Sequence, residues 1–130
     1  MNLLALDTST RHAALVVGRA DGAIVLALAD PATRHGRGLV PTLRDLLRRA
    51  NLAPQDLDAI AVGLGPGSYT GLRIGLTAAK TLAYATGCPL IGLDSFEVLA
   101  RNAPDDALMI SVIADAQRGG DLYHAPFTRP

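Results

Sequence analysis

The sequence predicts an α/β domain with the element order βββ-α-β-α-β-α-ββ. Three observations carry that expectation. Apolar runs at 3–6, 13–18 and 23–29 are separated by polar turns, one containing Asp21-Gly22, a hairpin signal between β-type segments. Residues 39–50 and 70–86 repeat apolar side chains at helical spacing. Short apolar runs at 59–62 and 90–93 follow these helices and read as buried strands. The chain has 130 residues, 49% of them hydrophobic and 18% charged, which suits one domain and excludes a disordered tail.

The first three runs read as an antiparallel meander. Residues 30–38, rich in Pro, Gly, Arg and Thr, read as a loop. Leu39, Val40, Leu43, Leu46, Leu47 and Ala50 then fill one arc of about 120°, with Arg44, Asp45, Arg48 and Arg49 opposite. Pro41 is tolerated only in a first turn, so this helix begins near Gly38 or Leu39. A short helix is expected over 95–101, capped by Asp94 or Ser95. Runs 108–113 and 121–127 read as two final strands. Leu4-Ala5-Leu6-Asp7 and Val112-Ile113-Ala114-Asp115 each place an Asp where a strand emerges into a turn, the mark of a repeated unit.

Composition narrows the function classes. Twelve Lys+Arg balance twelve Asp+Glu, against a dedicated nucleic-acid or membrane-surface binder. The basic residues are eleven Arg and one Lys, beside twenty-two Ala, a skew that resembles bacterial GC-rich coding bias. The one cysteine, Cys88, cannot form an internal disulfide, so a reducing compartment is expected. No apolar run reaches the roughly 18–20 residues of a membrane span, and the N-terminus lacks a basic signal-peptide region.

Gly63-Leu64-Gly65-Pro66-Gly67-Ser68-Tyr69-Thr70-Gly71 is the strongest local feature. A strand, glycines and a helix N-terminus can hold an anion on backbone N–H groups. Neither familiar phosphate motif fits: the dinucleotide pattern needs glycine at position 68, where Ser68 stands, and no Gly-Lys-Ser/Thr follows. A tight turn that brings helix and strand close together is the alternative. Asp7, with Thr8, Ser9 and Thr10, either positions a metal-bound phosphate or caps its own turn; no glycine lies between Asp7 and Gly18 to let a phosphate approach. His12, His35 and His124 lack metal-site spacing, and Cys88 reads as a small packed residue. Lys80 and Arg73 sit on the polar strip of the second helix.

The run Gly65-Pro66-Gly67-Ser68-Tyr69-Thr70-Gly71-Leu72-Arg73-Ile74-Gly75 resembles the TsaB (YeaZ) family. Leu4–Ser9, Leu57–Gly63, Pro89–Ser95 and Ile113–Gly119 continue the similarity in register, over nearly the whole chain. The resemblance implies an actin/Hsp70/sugar-kinase-like fold of ribonuclease-H-like lobes, with a mixed central sheet flanked by helices. Residues 1–105 would be the N-terminal lobe and 106–130 the first hairpin of a truncated second lobe. It further implies a non-catalytic partner in tRNA threonylcarbamoyladenosine synthesis, without a cofactor or metal of its own, in the cytoplasm. TsaD, which transfers the threonylcarbamoyl group, would be its main partner, with the ATPase TsaE in the same complex and a homodimer when TsaD is absent. Contact with tRNA would be indirect. Descriptions of such proteins as glycoprotease-like derive from TsaD relatives.

An alternative class, an actin-like phosphotransferase or glycoprotease-type metalloenzyme, requires Asp7 to ligate a metal. A direct tRNA-binding module would use Arg34, Arg37, Arg44 and Arg48. The loop residues Gly65, Pro66, Gly67, Ser68, Tyr69, Thr70 and Arg73 are assigned a structural role. The second helix carries apolar or small residues over an arc of about 200°, more than a sheet alone can cover. Its Leu72, Leu76, Ala79 and Ala83 flank is expected on the sheet; Gly71, Gly75, Ala78 and Leu82 are expected to receive a partner's helix. The tail, 108–127, is expected to pack on the first lobe or pair with another chain, since a lone hairpin is marginal.

Overall fold

The computed structural model describes residues 1–29, 38–116 and 119–128. Seven strands and three helices follow the expected order: β1 (Leu3–Asp7), β2 (Ala14–Gly18), β3 (Ile24–Leu28), α1 (Leu39–Arg49), β4 (Ala59–Gly63), α2 (Tyr69–Thr86), β5 (Leu90–Leu93), α3 (Ser95–Ala100), β6 (Met109–Asp115) and β7 (Leu122–Thr128). Five strands form one sheet in the order β3-β2-β1-β4-β5. The meander β1–β2–β3 is antiparallel, whereas β1, β4 and β5 run parallel. The sheet is therefore mixed, as expected.

Strand alternation assigns the two faces. Leu4, Leu6, Leu15, Val17, Ile60 and Val62 point to one side, where Leu46 and Leu47 of α1, Ala50 at its C-terminal end, and Ala79 and Ala83 of α2 close over them. Ile60, Leu4 and Val17 are fully buried, each worth about 1.5–3 kcal/mol relative to exposure. The second helix lies mainly on β4, and α1 lies on β2 and β3. On the opposite face Ala5, Val16, Ala61 and Leu93 border a cavity of about 200 Å³ with Val98 of α3.

Local features mark several of the helix ends. The Ser68 hydroxyl accepts from the Gly71 N–H at 3.2 Å, and α2 stops at Gly87, whose φ of 74° is left-handed. Asp94, not Ser95, caps α3, accepting from the Phe96 and Glu97 N–H groups at 2.8 and 2.9 Å. The first helix ends with Arg48 and Arg49 in its last turn, which suits the helix dipole. Cys88 packs against the core, within 3.1 Å of the Thr86 hydroxyl.

The β6–β7 hairpin is a separate two-stranded sheet. Its inner face, Ile110, Val112, Ala114, Tyr123, Ala125 and Phe127, packs on Phe96 and Ala100 of α3. Phe96 and Tyr123 meet edge to face, with centroids 6.3 Å apart. The hairpin thus rests on α3. β6 runs on to Asp115, two residues past the predicted end, because Ala114 and Asp115 pair with Tyr123 and Leu122. Phe96→Ala should cost about 3 kcal/mol and free the hairpin first. Amide exchange would then rise across 109–128 while the β1–β4 amides stay protected; equal protection in both segments would show that Phe96 is not the clasp.

Candidate functional site

Two regions bear on function: the end of the sheet where Asp7 meets the glycine loop, and the outer surface between α1 and α2.

At the first, Asp7 accepts from its own turn, the Ser9 N–H donating to Oδ1 at 2.7 Å. Asp7 thus caps its own turn. Its other oxygen, Oδ2, accepts from the Ser95 hydroxyl at 2.6 Å. The Ser95 oxygen in turn accepts from the Gly65 N–H at 3.1 Å, and the Ser95 N–H donates to the Gly65 carbonyl at 2.9 Å. Ser95 is thus a buried rivet joining β1, the glycine loop and α3. Sequence reasoning saw it only as a candidate helix cap; its Asp7 contact spans 88 residues.

The glycines of the loop make room for chain, not for a ligand. A Cβ at Gly63 would collide with the Asp7 carboxylate, and one at Gly67 with the Ser9 backbone. Gly65 adopts a φ of 88°, a left-handed conformation that favours glycine. The Ser68 N–H donates to the Ser9 carbonyl at 2.7 Å, so the β1–β2 turn occupies the approach to the α2 N-terminus. Of the residues assigned a structural role, Gly65, Pro66, Gly67 and Ser68 form this packed turn. Tyr69, Thr70 and Arg73 instead belong to α2; Tyr69 is exposed, with the Arg73 guanidinium 5.6 Å from its ring centroid.

The expected partner flank needs a correction. Gly71 and Gly75 do not face an outside helix: a Cβ at Gly71 would strike the Thr8 carbonyl, and one at Gly75 the Thr8 hydroxyl. That hydroxyl donates to the Gly71 carbonyl at 2.8 Å, and Thr8 is buried. The two glycines therefore seat α2 on the β1–β2 turn of its own chain. Ala78 and Leu82 lie elsewhere, in an open groove of about 620 Å³ between α2 and α1. Leu39, Val40, Leu43 and Ile74 share its lining, Thr70 and Arg73 stand at it, and Val40 is 63% exposed. The first helix borders this space without filling it.

Among the described residues no group of three His, Cys, Asp or Glu could hold a metal ion, and no helix is long and apolar enough to cross a membrane. Arg34, His35 and Arg37 lie outside the described residues. Arg44 and Arg48 are exposed on α1.

Comparison with known proteins agrees with this geometry. The family model described as TsaD, tRNA N6-adenosine threonylcarbamoyltransferase, matches residues 29–125. The Bacillus subtilis tRNA threonylcarbamoyladenosine biosynthesis protein TsaB is 41% identical over 119 residues, covering 92% of this chain and 52% of that protein. Its Escherichia coli counterpart is 31% identical, covering 99% and 56%. The solved structure of YeaZ from Pseudomonas aeruginosa superposes with a TM-score of 0.85 at 32% identity, over 99% of this chain and 60% of that one. The chain thus spans about half the length of the curated relatives it matches. By these matches the chain belongs to the TsaB (YeaZ) family and has its actin/Hsp70-like, ribonuclease-H-like fold.

Proposed function

We propose that this chain serves threonylcarbamoyladenosine formation in tRNA as a non-catalytic partner of a TsaD-type transferase. The observation that carries this reading is the apolar α1–α2 groove, which is large and unfilled by the chain's own side chains. The family model that matches the chain is described as the transferase itself, so a transferase lobe would be built on the same plan and could offer a matching helix pair. The relatives named as threonylcarbamoyladenosine biosynthesis proteins supply the pathway.

The other end of the lobe supports a non-catalytic role. Both Asp7 oxygens are engaged by Ser9 and Ser95, and the loop N–H groups of Gly65, Ser68 and Gly71 are bonded within the chain. A metalloenzyme reading would need Asp7 to exchange these donors for an ion. In the proposed assembly TsaE joins the transferase pair, tRNA is reached through the partner, and the groove closes a homodimer when the transferase is absent. The cytoplasm is the site of action. Residues 1–105 act as the docking lobe, and the β6–β7 hairpin opens a second lobe.

Capture by the TsaD-type transferase of the same organism tests this reading. The 130-residue chain should be retained, and Val40→Glu or Ala78→Glu should weaken retention at least about tenfold by placing a carboxylate in an apolar contact. Val40 is exposed, so that variant keeps the fold. Equal capture of the folded groove variants would remove the groove from the account.

A further inference from the structure

The charge of this chain is balanced, twelve Lys+Arg against twelve Asp+Glu, yet it is not evenly spread. The two helices that border the groove carry five basic side chains, Arg44, Arg48, Arg49, Arg73 and Lys80, and a single acid, Asp45. Asp45 stands with Arg49 on the other side of α1, beside Leu26 and Leu28 of β3. The second helix contains no acid. On the groove side, the charged groups of these helices are therefore all cations.

Position decides which of them matter. Arg73 lines the groove at the head of a polar row with Thr77 and Thr81, beside the apolar row Ile74, Ala78 and Leu82. Its guanidinium lies over the Tyr69 ring, 5.6 Å from the centroid, a contact that steadies it. Across the groove, Arg44 follows Val40 by four residues on α1 and so stands on the same side of that helix. Both arginines are exposed, and the ion pairs seen among the described residues, Arg19–Asp21 and Arg101–Glu97, use neither. The groove is an apolar floor between two cationic rims.

We propose that the transferase docks here through an amphipathic helix whose apolar stripe is flanked by Asp or Glu, one meeting Arg73 and another Arg44. This rests on the groove being the docking site. A helix laid on the floor shields both arginines from water, and each then needs an acceptor to offset its lost hydration. Charges that flank an apolar seam between helices also set partner choice and orientation. An RNA backbone would suit the rims but not the floor, since phosphates offer nothing apolar to cover Leu39, Val40, Leu43 and Ile74.

The test is the affinity of the 130-residue chain for the TsaD-type transferase of the same organism, in about 50 mM and about 500 mM salt. Affinity should fall at least about tenfold at the higher salt, because salt screens charge pairs at a rim. The double variant Arg44→Gln, Arg73→Gln should bind at least about tenfold more weakly at low salt and lose most of the salt dependence. Arg44→Lys with Arg73→Lys keeps the charges and should keep that dependence. Both side chains are exposed, and circular dichroism verifies that the variants fold. If Val40→Glu weakens binding while the Gln variant binds like the parent at both salts, the groove stands and the acidic partner helix is overturned. No binding, or binding indifferent to Val40→Glu, would overturn both. Were the chain alone to hold tRNA through these two arginines while the transferase ignored them, the cations would belong to nucleic acid and the proposal would fall.

Discussion

Gly75→Leu should unfold or severely loosen the lobe rather than probe an outer surface. The space a side chain would need is held by Thr8, a buried residue whose hydroxyl is bonded to the Gly71 carbonyl. Leucine there must lift α2 from the β1–β2 turn, breaking that bond and opening the contact between α2 and β4. Overpacking of this kind costs about 1–3 kcal/mol, and the rigid backbone around Thr8 puts this case at about 3 kcal/mol or more. Gly71→Ala should be costly for the same reason, since its Cβ meets a backbone carbonyl that cannot rotate away. Thermal unfolding followed by circular dichroism measures both. A Gly75→Leu protein as stable as the parent would mean that α2 does not sit on Thr8.

The second large effect is expected at Ser95. Its alanine variant strips a donor from Asp7 Oδ2 and leaves the Gly65 N–H without an acceptor in a buried turn. Each buried polar group left unpaired costs about 1–3 kcal/mol, so the pair should total about 3 kcal/mol. Asp7→Ala removes the same bond from the other side. The double variant should therefore lose at least about 1 kcal/mol less than the sum of the singles, as neighbours in one network do. Denaturant titrations of the four proteins measure the coupling; strict additivity would show that the Asp7–Ser95 bond holds nothing together.

Local features explain why most of the fold was legible in the sequence. Asp21-Gly22 announced the β2–β3 hairpin, Pro41 fixed the first turn of α1, and the Asp94-Ser95 pair marked the start of α3. The capping role of Asp7 was also legible, because its acceptor geometry lies within two residues. Long-range contacts were not. A helical projection groups Gly71 and Gly75 with Ala78 but cannot say what lies against each. The structure places Thr8, 63 residues from Gly71, on the first two and leaves Ala78 in the groove. Ser95 was missed for the same reason. The strand end at Asp115 was missed because aspartate is a poor strand former, and only its cross-strand partner Leu122 extends the ladder to it.

The groove between α1 and α2 is where we propose that the transferase docks. Methyl NMR of the labelled 130-residue chain, titrated with the TsaD-type transferase of the same organism, tests it most directly. The Leu39, Val40, Leu43, Ile74 and Leu82 methyl signals should shift or broaden first, while Leu26 at the sheet edge and Val112 in the hairpin stay in place. Perturbation confined to the hairpin or to the Asp7 end of the sheet, with the groove methyls unmoved, would contradict the claim.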